Sequence, residues 1–341
     1  MWKCFSLHSI KLQDNCSIKS GQCQGTPDKE IKEKFEPKKK QSILLAGSYA
    51  RIGYEHKSEN VENCGTFLEF AKTADCDFRL HKANFCRDRL CPMCSWRRSY
   101  KIFSQVSQIM SVICDSYCYL FLTLTVPNCS ADELSDCIDG LSYAWYKFSH
   151  YKRFKDAVKG YFKALEITRN KSNGSYHPHF HVVLAVDKKY FKDSSYIKRD
   201  EWLALWQKAT KDKSITQVDI RRAKGKKDGS TAVKALSSAV AEIAKYAVKS
   251  ADYIIVDNEP LMDDIVFTLS YALHGRRLCA FGGVFENVRR QLLLDDVEDG
   301  DLIHVDGNIS GDLAVQIYRY GWSCGCYKLI EIDTPAKGVS E

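Results

Sequence analysis

The chain has 341 residues, 45% of them hydrophobic and 27% charged, which excludes the disordered, collagen-like and low-complexity classes and leaves a globular protein of two or three packing units. No run approaches the roughly 18 apolar residues of a membrane helix, and Met1-Trp2-Lys3-Cys4-Phe5-Ser6 lacks a signal-peptide core, so a non-secreted, cytoplasmic protein is expected. The net charge of +7 is unevenly spread, with +7 over residues 1–110, +8 over 111–255 and −8 over 256–341, and the basic two-thirds should face a polyanion.

Residues 1–40 are polar, end in Glu36-Pro37-Lys38-Lys39-Lys40 and read as a mobile arm or poorly packed lead-in. Cysteines and arginines crowd together from Cys64 to Tyr100. Lys101–Val112 predicts a short helix, and Cys118–Val126 predicts a strand stopped by Pro127-Asn128, with a compact domain starting near Ser111. Asp132–Phe154 predicts a helix, and Phe162–Arg169 and Pro178–Val186 predict strands. Asp200–Thr210 carries Trp202, Leu203, Leu205 and Trp206 at helical spacing, Ile215–Arg222 suits another strand, and Ser230–Ser250 is the clearest helix, striped by Leu236, Val240, Ile243 and Ala247. The expected division is a polar arm over 1–60, a zinc-binding segment over 61–110, a catalytic domain over 111–255 and an acidic region over 256–341.

Fifteen cysteines in a long chain without a secretory signal favour reduced thiols and a metal site over a disulfide scaffold. Cys91-Pro92-Met93-Cys94 is a C-x2-C knuckle, a spacing that brings two thiolates to one tetrahedral zinc from a tight turn. Cys86 lies five residues upstream, and the fourth ligand is Cys64 or Cys76, with His81 behind them. Around the knuckle Arg87, Arg89, Arg97 and Arg98 alternate with Phe85, Trp96 and Tyr100, a mixture suited either to phosphates and stacked bases or to arginine stems packed on aromatic rings.

His177-Pro178-His179-Phe180-His181 puts three imidazoles at a period of two, so a strand projects all three from one face. Asn173-Gly174 is the preferred pair for a two-residue hairpin turn, and that turn would set Glu166 opposite His181 and Thr168 opposite His179. Two imidazoles and a carboxylate then converge with positions open for water or a phosphate oxygen, as a catalytic divalent ion requires. On the helix ending at Ser250, Glu242, Tyr246 and Lys249 fall on one flank, within roughly 60° of one another. A phenol beside an ammonium and a metal can act as a covalent nucleophile.

Three segments together resemble the plasmid rolling-circle replication initiators of the HUH endonuclease superfamily, in their single-tyrosine branch. Phe121-Leu122-Thr123-Leu124-Thr125-Val126-Pro127-Asn128 is similar to the first motif, His177-Pro178-His179-Phe180-His181-Val182 to the second, and Glu242-Ile243-Ala244-Lys245-Tyr246-Ala247-Val248-Lys249 to the third. Phe85–Ser99 is similar to the cysteine segment upstream in such initiators, and the likeness runs from about Cys64 to Asp299, taking in Gly275-Arg276-Arg277-Leu278 and Phe281-Gly282-Gly283-Val284-Phe285. The tail beyond about 300, with Cys324-Gly325-Cys326, matches nothing in it.

The resemblance implies an α+β fold, a central antiparallel sheet flanked by helices, behind an N-terminal cysteine-rich zinc-binding segment. It implies nicking of one origin strand to leave a 5′-phosphotyrosine and a free 3′-OH, with His179 and His181 binding Mg2+ or Mn2+, Tyr246 attacking the phosphate, Lys249 supporting it and Glu242 serving termination. Glu166 as third ligand rests on the hairpin register. The expected partners are origin DNA, double-stranded for recognition and single-stranded for cleavage, with a host helicase and polymerase. Histidine-triad nucleotide hydrolases also alternate histidines on a strand, but Pro178 fits them poorly and they lack the cysteine cluster and tyrosine helix. An HUH transposase or relaxase, or a non-enzymatic zinc-knuckle regulator, are the other readings.

Overall fold

The computed structural model describes residues 26–73, 77–223, 249–305 and 314–334. Its elements are α1 (Glu36–Arg51), α2 (Glu55–Asn63), β1 (Phe67–Thr73), β2 (Phe78–Ala83), α3 (Pro92–Ile113), β3 (Tyr117–Thr125), α4 (Leu134–His150), α5 (Lys152–Ala157), β4 (Val158–Arg169), β5 (Tyr176–Asp187), α6 (Arg199–Thr210), β6 (Asp219–Arg222), α7 (Glu259–Ala272), β7 (Cys279–Gly283), α8 (Val284–Gln291), β8 (Ala314–Ser323) and β9 (Cys326–Asp333). All strand pairs within the two sheets are antiparallel, in a five-stranded sheet of order β6-β3-β5-β4-β7 and a four-stranded sheet of order β2-β1-β8-β9. The expected α+β class, antiparallel sheet with flanking helices, is what the chain adopts.

The large sheet is a layer between helices. Val182, Val183, Leu184, Ala185 and Val186 on β5 are all fully buried, because β5 lies mid-sheet with both faces covered. On one face Trp145 of α4 meets Phe180 and Tyr161, and Phe148 meets Trp202 and Trp206 of α6. On the other, Tyr119 packs on Phe285 of α8, and its hydroxyl donates to the Met110 carbonyl of α3. The single helix expected over 132–154 is two, broken where Tyr151 turns extended (φ −62°, ψ 137°). The strand expected at Ile215 begins only at Asp219, and the clearest expected helix, Ser230–Ser250, lies outside the described residues apart from its end.

Two expectations are corrected. The described part of the lead-in is not a polar arm: from Asp28 onward it is helical, and Ile31, Phe35, Leu45, Ala46 and Tyr49 are buried, with Phe35 edge-on to Phe70 and Trp96. The stripe was hidden because Lys39 and Ser42, both fully buried, occupy two of its positions. Nor is 256–341 a separate acidic region, since β7 completes the sheet begun within 111–255 and β8 pairs with β1, Phe70 opposite Tyr318. Cys324-Gly325 is the two-residue turn of the β8–β9 hairpin, both residues left-handed (φ 52° and 79°). Among the described residues no helix is long and apolar enough to cross a membrane.

Candidate metal centres

Two groups of side chains can each hold a metal ion. The first is Cys64, Cys86, Cys91 and Cys94. Cys64 ends α2, Cys86 follows β2, Cys91 precedes the first helical residue of α3, and Pro92 starts that helix, turning Cys94 back toward Cys91. Sγ–Sγ separations are 3.5 Å for Cys64–Cys94, 3.6 Å for Cys91–Cys64 and 3.7 Å for Cys86–Cys94. A zinc with Zn–S bonds of about 2.3 Å needs tetrahedron edges of roughly 3.8 Å, so the four thiols already stand at ligand spacing. Of the alternatives for the fourth position, Cys64 is the one in the cluster. His81 instead faces Glu69 at 3.8 Å, and Cys76 lies outside the described residues.

Hydrogen-bond donors surround the sulfurs of this cluster. The backbone N–H of Arg87, itself in a left-handed conformation (φ 63°), donates to Cys94 Sγ at 3.1 Å, that of Cys86 lies 3.4 Å from Cys64 Sγ, and Ser42 Oγ lies 3.4 Å from Cys91 Sγ. Lys39, fully buried, donates to the carbonyls of Glu62 and, at 2.8 Å, Cys64. Burial pushes the Cys91 thiol up, but hydrogen bonds from Cys64, Cys86, Cys94 and Ser42 outweigh it and hold its pKa well below the ordinary thiol value, while hydrogen bonds with Cys64 and Cys91 raise that of Cys86 and burial raises that of Cys94.

The arginines of this segment do not await phosphates. Arg97 donates to the carbonyls of Leu302 (2.9 Å) and Ile303 (2.7 Å), Arg98 to those of Glu298 (3.2 Å) and Arg87 (3.0 Å), and Arg89 pairs with Glu298 at 2.6 Å. Lys101 holds Asp295 at 2.6 Å. The basic segment therefore binds the acidic segment 295–303 of its own chain, through two ion pairs and a set of backbone carbonyls.

The second group is Glu166, His179 and His181, on adjacent strands β4 and β5. The register puts Glu166 opposite His179, Thr168 opposite His177 and Ala164 opposite His181, two residues from the expected pairing. The cause is the loop: Asn170 N–H donates to the Ser175 carbonyl and Gly174 N–H (φ 75°) to the Asn170 carbonyl, so four residues, Lys171–Gly174, make the turn in place of Asn173-Gly174 alone. A shift by two keeps every side chain on its face. The carboxylate and imidazoles therefore still converge.

Glu166 Oε2 lies 2.9 Å from His181 Nε2 and 3.7 Å from His179 Nε2, and the two Nε2 atoms are 3.1 Å apart. The other ring nitrogens are tied back, His181 Nδ1 to Thr123 Oγ1 (3.3 Å) and His179 Nδ1 to the His177 carbonyl (3.0 Å), which aims both Nε2 atoms at one point. Lys249 Nζ reaches Glu166 Oε1 at 3.1 Å. Burial raises the Glu166 pKa, but hydrogen bonds from His179, His181 and Lys249 outweigh it and keep the carboxyl well below its usual range. Burial, then the neighbouring His179, lower the pKa of His177, whose ring centroid lies 5.0 Å from that of His179. Tyr246 and Glu242 lie outside the described residues. Sequence reading missed Thr123, Lys39 and Ser42, and for the last two the only signal was polar residues standing at stripe positions of an otherwise apolar helix face.

A family model described as replication protein, Rep_1, matches residues 77–325. A curated "Protein rep" of Lactiplantibacillus plantarum is 38% identical over 285 residues, spanning 82% of this chain and 89% of its own. One of Bacillus amyloliquefaciens is 38% identical over 81% of this chain and 86% of its own, and one of Streptococcus pneumoniae is 35% identical over 77% and 81%. No solved structure matches.

Proposed function

The chain belongs to the Rep_1 family of replication proteins, and from that premise we propose that it starts rolling-circle replication of a plasmid by nicking one origin strand through a covalent tyrosine intermediate. The observation that carries this reading is the convergence of Glu166, His179 and His181 on one sheet face, with Lys249 bonded to the carboxylate. Two imidazole nitrogens and a carboxylate oxygen fit a divalent ion such as Mg2+ or Mn2+, which when bound polarises the phosphoryl oxygens of the scissile phosphate. The Tyr246 phenolate attacks phosphorus, the P–O3′ bond breaks, and the strand leaves a 3′-OH primer while its 5′-phosphate stays on the tyrosine.

Lys249 supplies positive charge beside the phenolate and the phosphate. Glu242, four residues before Tyr246 in sequence, acts at termination as base toward the group that attacks the phosphotyrosine. Four cysteine thiolates fit a structural zinc, since a soft, closed donor set leaves no position for substrate. The partners on this reading are double- and single-stranded origin DNA, then a host helicase and polymerase in the cytoplasm. The test incubates the protein with single-stranded origin DNA and Mn2+: wild type gives a covalent protein–DNA adduct on the 5′ side of the break, and Tyr246→Phe binds the DNA but gives none. Wild-type cleavage by Tyr246→Phe overturns the assignment, and a zinc-knuckle regulator would give no adduct in either.

A further inference from the structure

Edge strand β7 carries a second feature on the metal-bearing face. Ala164 of β4 pairs with His181 on one side and with Cys279 of β7 on the other, so Cys279 and Phe281 share a face with the triad. The Leu165 N–H donates to the Leu278 carbonyl at 2.8 Å, which carries the pairing one step further and brings Arg277 to the sheet edge level with Glu166. Adjacent strands are about 4.8 Å apart, so this edge lies roughly 10 Å from the histidine strand.

A cavity of about 280 Å³ opens there, lined by Arg277, Phe281, Glu286, Arg289, Arg290 and Asp296 among others. Glu286 grips both arginines of α8, Arg289 through Nε (2.8 Å) and Nη2 (3.0 Å) and Arg290 through Nε alone (2.7 Å). Arg277 uses one Nη on Asp296 at 2.6 Å. The arginine side chains at positions 277 and 290 are 59% and 75% exposed, and both Nη groups of Arg290 and the Nε and second Nη of Arg277 make no hydrogen bond among the described residues. The Arg289 guanidinium lies 5.7 Å from the Phe281 ring centroid, and that ring is backed by Phe162 at 4.8 Å. Carboxylates thus hold the guanidiniums in place, leaving the paired Nη groups of Arg290 as a free fork, the geometry that suits a phosphodiester, and single donors free on Arg277.

We propose that this cleft binds the sugar-phosphate backbone of the single-stranded DNA flanking the scissile phosphate, with Arg277 and Arg290 each contacting a phosphate and Phe281 offering a ring to a base. The inference rests on the nicking reading, because it takes its orientation from a scissile phosphate at the triad. The groups contact ungapped strand and take no part in bond breaking, so they act on binding and positioning.

The test measures binding of a single-stranded origin oligonucleotide by fluorescence anisotropy across a salt series, with nicking kinetics beside it. Each phosphate contact contributes about 0.7 to the slope of log K against log salt for single strands, so Arg277→Gln with Arg290→Gln should flatten that slope by about 1.4. KM for nicking should rise at least tenfold while kcat at saturating DNA stays within twofold, and the melting temperature should hold. Arg277→Lys with Arg290→Lys, which keeps the charge and loses the fork, should restore the slope and only part of the affinity. An unchanged slope and KM in a folded Gln variant overturns the cleft and leaves the nicking reading untouched. A wild type that binds the oligonucleotide with the arginine-dependent slope yet forms no adduct overturns the nicking reading instead.

Discussion

The two metal centres are built on opposite plans. The cysteine cluster is closed: three of its four thiols are buried, its donors come from α2, the loop after β2 and the start of α3, and a fully buried ammonium and a serine hydroxyl stand behind the sulfurs. The histidine centre is one-sided: its three donors sit on two adjacent strands of one rigid sheet, and Lys249 approaches its carboxylate. A closed four-thiolate set spends its whole coordination sphere on joining distant pieces of chain. A three-donor set on a sheet leaves coordination positions for a substrate. The difference teaches that one chain can carry two donor sets suited to different ions without the two sites competing, since thiolates and imidazole–carboxylate sets select different metals.

If that contrast is right, damage to the first centre should be read in folding and damage to the second in activity. Cys91→Ser or Cys94→Ser should give the largest effect, release of one zinc per chain with loss of several kcal/mol and of the cooperative melting transition. Elemental analysis and calorimetry check it, and a zinc-free but fully stable wild type would collapse the distinction. His181→Ala should lower metal-dependent nicking on the order of 100-fold or more while shifting the melting temperature little. Thr123→Val, which removes the partner of His181 Nδ1, should cost about 10–100-fold in apparent Mn2+ affinity, readable by titrating cleavage against Mn2+.

Smaller effects sharpen the contrast further. Lys39→Met leaves the carbonyls of Glu62 and Cys64 without their donor, at a cost of about 1–3 kcal/mol in denaturant unfolding, and should speed zinc loss to a chelator. Glu166 supplies the smallest, a pH effect. Its folded pKa is depressed below the unfolded value of about 4.3, so in metal-free protein its contribution is present above that pH and lost as pH falls toward the folded value. Glu166→Gln should therefore flatten the acid limb of a stability–pH curve below about pH 4.5, and an unchanged limb would show that the carboxylate is not held by its neighbours.

Local periodicity carried the site well and the architecture only partly. Three histidines at a period of two and a carboxylate of the right parity sufficed to assemble the triad, and an error of two residues in the hairpin register did no harm because only an odd slip changes faces. The C-x2-C knuckle was legible for the same reason, while the choice of Cys64 depended on where α2 ends against α3, which no local pattern encodes. In α1 the apolar stripe is interrupted because Lys39 ties the carbonyls of Glu62 and Cys64 and Ser42 faces the Cys91 sulfur. The arginines around the knuckle pointed to nucleic acid because their partners, Glu298 and the carbonyls of Leu302 and Ile303, lie far along the chain.

The pairing of β1 with β8 has a consequence during synthesis. Phe70 meets Tyr318 roughly 250 residues later, and at a ribosomal rate of about 5–20 residues per second β1 waits on the order of 10–50 seconds for its partner to emerge. Through that interval the β1 edge that β8 will pair stays open, and the Phe70 ring has Phe35 but not yet Tyr320 against it. A chain truncated before Ala314 would therefore keep the histidine strands yet lack two strands of the sheet that flanks the cysteine cluster. The fold in this way makes completion of the small sheet wait on translation of almost the full described chain.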